Sequence, residues 1–415
     1  MRDDHISLVL HHPMFVTPFI LQRRLTVSME PQLPWVGGGG STDFNDLDLS
    51  QRDFPIARYN LPCQQSEEFQ GMPDGNGSSP EPPPPHAQLV QMAMGHWISR
   101  IVYVAAKLDL AGRLAKGPKR ADELAGPTGT DATALYRFMR SLATLGILSE
   151  SDSRQFSLTP LGEALKADAP GAARSSVLTI ASDWWFRGFG ELMYSVQTGK
   201  SGFEKALGEP VFEYLGHHPE DASLFSETMI GFHGAEPPAV AAAYDFSAVG
   251  TLVDVGGASG HLLTTILQRY PKTRGILFDL PHVVRDAPAL IGARGLTDRV
   301  EIQSGSFFET VPAGADVYLL SHIIHDWRED LCLTILGHCR QAMNPGGRVL
   351  IIEMVLPPAD TPHPGKMLDV MMLVGPGGQE RTGQEYEALL GKAGFRLNRM
   401  VPTASAVTVV EAFVA

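Results

Sequence analysis

A chain of 415 residues, 44% of them hydrophobic, is long enough to bury a large core in two or three domains. Its 33 Lys and Arg against 46 Asp and Glu leave a net charge of −13, an acidity that argues against a nucleic-acid partner. Three cysteines, Cys63, Cys332 and Cys339, are an odd number at no metal-ligand spacing, and a reduced, cytoplasmic setting is expected; no metal is implied, since Asp326 has no obvious second and third ligands.

The apolar stretch from Ile6 to Leu21 is interrupted by His11, His12, Pro13 and Pro18 and follows acidic Asp3 and Asp4. Neither a secretory signal nor a membrane span has that character. From Gly37 to Pro85 the chain runs through GGGG, DGNGSSP and PEPPPP with few periodic apolar residues. Residues 1–85 therefore read as a disordered N-terminal extension, with five basic and eleven acidic side chains.

A second region is predicted over residues 86–243. Ile98, Ile101, Val102, Ala105 and Leu108 recur at helical spacing and leave an apolar stripe too wide for one exposed helix. Ala121 to Ala125 reads as a short helix, and Asp131 caps a second that carries Leu135, Phe138, Met139, Leu142 and Leu145 and stops at Gly146. Ile147 with Leu148 and Phe156 with Leu158 make a small β-wing, and Thr159-Pro160 opens another helix. The unit is a winged helix-turn-helix. A DNA-binding regulator is the rival reading from another class, but residues 118–166 hold six basic and six acidic side chains, and a phosphate-tracking surface needs a cationic excess. A dimerisation module accounts better for the apolar surplus. Residues 170–243 read as mostly helical. Their cluster of Trp184, Trp185, Phe186 and Phe189, with Met193, is either core or the wall of a cavity for a flat substrate. Met229, Phe232 and His233 lie about one helix before the next region, close enough to meet a ligand there.

The third region, residues 244–415, alternates strands with helices. Strands are predicted at Thr251 to Val255, Gly275 to Asp279, Val300 to Gln303, Asp316 to Ser321 and Val349 to Glu353. Phe395 to Val401 and Ala406 to Phe413 are joined by too few residues for a parallel crossover and must form an antiparallel hairpin. The stretch VDVGGASG, Val253 to Gly260, supplies a buried strand, a carboxylate at Asp254, and a glycine turn into a helix near His261. A dinucleotide fingerprint is excluded because its second and third glycines are Ala258 and His261, and no Lys follows Gly260 to make a P-loop. The spacing acid-x-Gly-x-x-x-Gly instead resembles the first motif of class I S-adenosylmethionine-dependent methyltransferases. Asp279 ends the second strand, where a carboxylate takes ribose hydroxyls.

The run SHIIHDW, Ser321 to Trp327, places His325 and Asp326 at the carboxyl edge of the sheet. Glu353 ends the fifth strand, and Glu380 lies in the glycine-turn segment GGQERT. An imidazole flanked by these two glutamates is a general base held in one orientation.

From about Gln88 onward the chain resembles the small-molecule O-methyltransferase family, which includes caffeate, isoflavone and hydroxyindole enzymes and bacterial polyketide and phenazine tailoring enzymes. The resemblance rests on VDVGGASG, FDLP at Phe278 to Pro281, GSFF at Gly305 to Phe308, IIHDW at Ile323 to Trp327, and LDVMMLVGPGGQERT at Leu368 to Thr382. It implies an α/β fold: a class I methyltransferase Rossmann-like seven-stranded sheet with an antiparallel last strand, preceded by an α-helical winged-helix dimerisation domain. It also implies that His325 deprotonates an acceptor hydroxyl beside Glu353 and Glu380. Gly256, Asp279, Ser306, Phe307, Ser321 and Met229 would hold S-adenosyl-L-methionine, and the N-terminal helices would interlock as a homodimer. Ser306 departs from the acidic residue usual there, and Ala258 from a glycine. Trp185, Phe189 and Met371 are the candidates for contact with a small, flat hydroxylated acceptor. Non-methylating tailoring chemistry on the same scaffold, decarboxylation or hydroxylation, is the alternative reading.

Overall fold

The computed structural model describes residues 83–171 and 173–415; the expectations for the extension before residue 83, and for Cys63, fall outside them. Prolines close that extension and start the first helix, Pro85–Lys107, because a ring-locked φ suits the first helical position and the missing N–H has no partner there anyway. This helix buries Ala105 and Ala106 but leaves Leu89, Val90, Met92 and Trp97 exposed.

The winged unit forms as its turn chemistry dictates. Helix Ala121–Thr128 leads to Asp131, whose carboxylate accepts the Ala134 N–H at 2.8 Å and so caps helix Ala132–Thr144. Gly146, with φ of +71°, then turns the chain into β1 (Leu148–Glu150), which pairs antiparallel with β2 (Phe156–Leu158). The Thr159 hydroxyl donates to Gly146 O at 2.6 Å and accepts the Gly162 N–H at 3.1 Å, joining the wing to the helix end. Leu124, Met139, Leu142 and Phe156 fill the centre of this unit, all essentially removed from solvent. Seven helices follow between Ala173 and Ala243 among the described residues.

The remainder is built on a sheet. Its strands are β3 (Thr251–Val255), β4 (Arg274–Asp279), β5 (Val300–Ser304), β6 (Val317–Ser321), β7 (Arg348–Glu353), β10 (Phe395–Pro402) and β11 (Thr408–Val414). The spatial order is β10-β11-β7-β6-β3-β4-β5. β3 to β7 run parallel, while β11 lies antiparallel between β7 and β10. The parallel strands read as unbroken apolar runs because helices cover both faces: Val253, Tyr318 and Ile351 point to one buried layer, Leu252, Leu319 and Leu350 to the other. The short strands β8 (Val355–Leu356) and β9 (Arg381–Thr382) pair in parallel beyond the end of β7. The parallel sense places the carboxyl ends of β3, β4, β6 and β7 on one edge, and the strand order reverses beside β3, the point where ligands bind in such sheets. Among the described residues no helix is long and apolar enough to cross a membrane.

Candidate active site

The glycine turn after β3 is tight because atoms already occupy the space a side chain would take. A Cβ on Gly256 would lie 2.4 Å from Ile323 Cδ1, and one on Gly257 would lie 2.6 Å from Asp254 Cγ. Gly256 has φ of +71° and Gly260 +83°, so both use glycine's freedom to enter helix His261–Arg269. Ala258 stands between them at φ of +50°, a left-handed conformation that an alanine adopts with strain. Its N–H is donated to Asp279 Oδ2 at 2.9 Å, and Leu280 donates to Oδ1 at 2.7 Å. Asp279 is thus pinned beside the turn at the end of β4 with lone pairs to spare. Burial raises the pKa of its carboxyl. Asp254 is more deeply buried beneath the turn, and burial pushes it up to about 7.

Phe307 faces the same turn, 3.5 Å from where a Gly256 Cβ would be, and packs edge-on against Phe308. The Ser306 hydroxyl accepts the Phe308 N–H at 3.2 Å, which shapes that loop and leaves its own proton to donate. Ser321 is half-buried at the end of β6. Met229 is half-buried one turn before His233 on helix Pro219–His233.

His325 sits on a single 3₁₀ turn, Ile324–Asp326, just past β6, with only 6% of its surface exposed. Its Nδ1 meets Glu380 Oε1 at 2.6 Å and its Nε2 lies 3.6 Å from Asp326 Oδ1. The two glutamates reach His325 in different ways. Glu353 Oε1 accepts the main-chain N–H of His325 at 3.1 Å, and Oε2 accepts the hydroxyl of buried Tyr386. Glu353 therefore anchors the peptide of the turn, because it ends a buried strand pointing at the backbone rather than at the imidazole. Glu380 alone orients the ring, and Asp326 supplies the second acid near it. Burial works against a charge on the imidazole. The Asp326 carboxylate, the hydrogen bond to Glu380 and the nearby Glu353 charge outweigh it and hold the group well above its ordinary value. Glu380 is itself fixed through its main chain, whose N–H is donated to Asp369 Oδ1 at 2.8 Å.

Beside His325 lies a second cluster, of which only His233 stands out in the sequence. His322 Nε2 and His233 Nδ1 approach the same oxygen of buried Glu236, at 2.7 and 3.1 Å. The His322 ring stands 5.2 Å from that of His325. The three ligand atoms lie within 4.8 Å of one another, a spacing open to a metal ion, yet both imidazoles spend their contact on one carboxylate oxygen. Hydrogen bonding accounts for the grouping. His322 is held at φ of +53°, and the Glu236 bond fixes its ring in that strained position. The helix Pro219–His233 that carries Met229 is thereby tied to the end of β6. An i,i+3 His and Glu flanking a helix junction, and a second histidine in SHIIHDW, were the available signals. Asp369, Tyr386 and Arg381 were likewise missed, although two of them lie within the quoted stretch Leu368 to Thr382.

The proposed acceptor contacts fall in one aromatic group. Trp185 is buried, edge-on to Phe203 at 5.4 Å and to Trp184 at 5.2 Å. Phe189 meets Phe203 at 6.2 Å and keeps 37% of its surface exposed. Met371 packs on the same group from helix Gly365–Val374, and Val374 joins its core. Phe212 links this side of the molecule to Trp327, the residue that follows the base turn, with ring centres 5.8 Å apart.

The arrangement is a glycine turn and carboxylate for a nucleoside-type ligand, a buried imidazole oriented by an acid, and an aromatic wall nearby. Residues 189–396 match the O-methyltransferase domain, and residues 90–168 match the O-methyltransferase dimerisation domain. The chain belongs to the O-methyltransferase family.

Among O-methyltransferases it is similar to the phenazine O-methyltransferase of Lysobacter antibioticus, 41% identical over 78% of this chain and 95% of that protein. Similarity extends to a solved O-methyltransferase from neocarzinostatin biosynthesis, 33% identical with a TM-score of 0.71 over 77% of this chain and 96% of that one. That structure holds S-adenosyl-L-homocysteine and 1,4-dihydroxy-2-naphthoic acid. It is also similar to an 8-amino-8-demethylriboflavin N,N-dimethyltransferase of Streptomyces davaonensis, 32% identical over 78% of this chain and 94% of that protein. The methyl donor of these O-methyltransferases is S-adenosyl-L-methionine, and the crowded glycine turn with pinned Asp279 suits it.

Proposed function

We propose that the protein transfers a methyl group to a phenolic or enolic hydroxyl of a small, flat, largely apolar acceptor, with His325 as the general base. The observation that carries this reading is the 2.6 Å contact between His325 Nδ1 and Glu380, which commits one ring nitrogen to the protein and leaves Nε2 for an acceptor proton. Gly256, Asp279, Ser306, Phe307, Ser321 and Met229 hold the donor. When bound, S-adenosyl-L-methionine supplies a methyl group already activated on a sulfonium. The task left to the protein is to take up the hydroxyl proton at Nε2, to align the oxygen, and to keep water out. Trp185, Phe189 and Met371 contribute the apolar wall, Trp185 by packing on Phe203, the ring that Phe189 also meets. Residues 86–243 form the helical dimerisation and substrate-wall domain and residues 244–415 the donor-binding catalytic domain. Exposed Leu89, Val90, Met92 and Trp97 favour a homodimer through the first helix.

Incubation with S-adenosyl-L-methionine and a panel of hydroxylated aromatics, scored by mass for methylation, tests the reaction. His325→Ala is expected to cost about two to four orders of magnitude in kcat while donor binding survives. An amine acceptor is the second reading, favoured by the N,N-dimethyltransferase relative. Methylation confined to the amines of a mixed panel would select it over the hydroxyl.

A further inference from the structure

Arg381 is buried to 3% exposure, and its guanidinium donates only to uncharged groups: Ile324 O at 3.1 Å and Gln379 O at 3.2 Å from Nη1, Trp327 O at 3.4 Å and the Cys332 thiol at 3.6 Å from Nη2. Among the described residues no carboxylate lies within ion-pairing distance of it. A buried guanidinium is retained against its desolvation cost only where several acceptors converge on it. Here two of them, Ile324 O and Trp327 O, bracket the 3₁₀ turn that carries His325. The neighbouring main chain completes the clasp. Gln379 N–H is donated to His325 O at 2.9 Å, and Gly378 has no room for a Cβ, which would stand 2.0 Å from that oxygen. The clasp leaves the carbonyls of residues 324, 325 and 327 all held from the segment 379–381, whose middle member, Glu380, orients the ring.

We propose that Arg381 is a positioning residue for methyl transfer, its planar fork fixing the height and tilt of the base turn so that Nε2 of His325 meets the acceptor oxygen. A planar, multiply donating cation suits this, because its two nitrogens reach Ile324 O and Trp327 O from fixed, separate positions, whereas an ammonium directs its three donors from a single nitrogen. The inference rests on His325 acting as the base.

The test uses the full-length chain and three variants, Arg381→Ala, Arg381→Lys and His325→Ala, assayed for kcat and for donor affinity by calorimetry. Arg381→Ala is expected to lower kcat by about 30- to 300-fold, the range associated with an ångström-scale misplacement of a reacting group, with donor Kd changed less than about threefold. Non-denaturing guanidinium should restore at least about tenfold of that loss by refilling the cavity, whereas methylammonium should not. Adding Arg381→Ala to His325→Ala should cost nothing further, since the residue acts through the ring. Wild-type kcat in folded Arg381→Ala, or a loss shared equally by donor binding and untouched by guanidinium, would overturn the proposal. If the alanine variant does not fold, Arg381→Lys decides: lowered kcat with donor affinity intact supports the role, and unchanged kcat removes it. Full activity in His325→Ala alone overturns the base reading instead, a result that the other variants do not mimic.

Discussion

At the level of single residues, the proposed role of His325 as base ties the pH range of the reaction to the state of its ring in the resting protein. The surrounding acids raise its affinity for a proton, so near neutrality the ring of the free protein carries one. A base must be unprotonated to act. The sign is therefore fixed: kcat/KM climbs with pH beyond the ordinary imidazole midpoint of about 6.5, by up to tenfold per unit while the protonated form dominates. A profile already level between pH 7 and 9, with chemistry shown to limit the rate, would contradict the assignment. Ala258 permits a second residue-scale test. An alanine in the left-handed region costs roughly 1 to 2 kcal/mol relative to the right-handed one, and glycine does not incur that cost. Allowing for the greater chain entropy of glycine, Ala258→Gly should stabilise the fold by up to about 1 kcal/mol in denaturant titration. A destabilised variant would show that the methyl group makes contacts that compensate for the strain.

At the level of elements, the sheet was legible and the links between its ends were not. The five parallel strands were readable to within a residue or two because buried strands are short apolar runs closed by turn residues, as at β3 and β6. The antiparallel pair β10 and β11 followed from the shortness of its connection. His325, Glu353 and Glu380 stood out as chemical groups at the right edge. Which atom each carboxylate would reach did not, since it depends on how a side chain leaves the last residue of a strand or turn. Glu380 reaches the ring across 55 positions and Glu236 reaches His322 across 86, separations over which periodicity carries no information. The close approach of Gly378 to the base turn was equally invisible, because a glycine in a glycine-rich run looks like any other turn residue. Gly378→Ala is the corresponding experiment. A methyl placed against main-chain atoms of His325 and Asp326 forces one segment to move, so turnover should fall at least about 100-fold. The accompanying loss of stability should be about 1 to 3 kcal/mol by thermal or chemical unfolding. Activity within a factor of two of wild type would mean that the turn yields without consequence for the base.

For the whole molecule, the winged unit was recognisable from its caps and its glycine stops, and it falls within the stretch that matches the dimerisation domain. The helix before it carries four large apolar residues that the fold of one chain leaves in solvent. Trp97, 54% exposed, and Leu89, 65% exposed, are large apolar groups that a partner chain would cover. Sedimentation should give about twice the 44.9 kDa chain mass, and Leu89→Asp with Trp97→Asp should shift it towards one. A wild-type chain that sediments as a monomer at micromolar concentration would end the dimer reading.

The pairing of β8 with β9 involves only two residues on each side, yet the segment it secures contains both Glu380 and Arg381. The proposed donor site is anchored elsewhere, on β3 and β4 in the middle of the sheet. Partial opening at this weak ladder would strip the imidazole of its orienting acid while the glycine turn and Asp279 keep their places. Rising urea should then silence turnover before it releases bound S-adenosyl-L-homocysteine, with the unfolding of the sheet itself coming last.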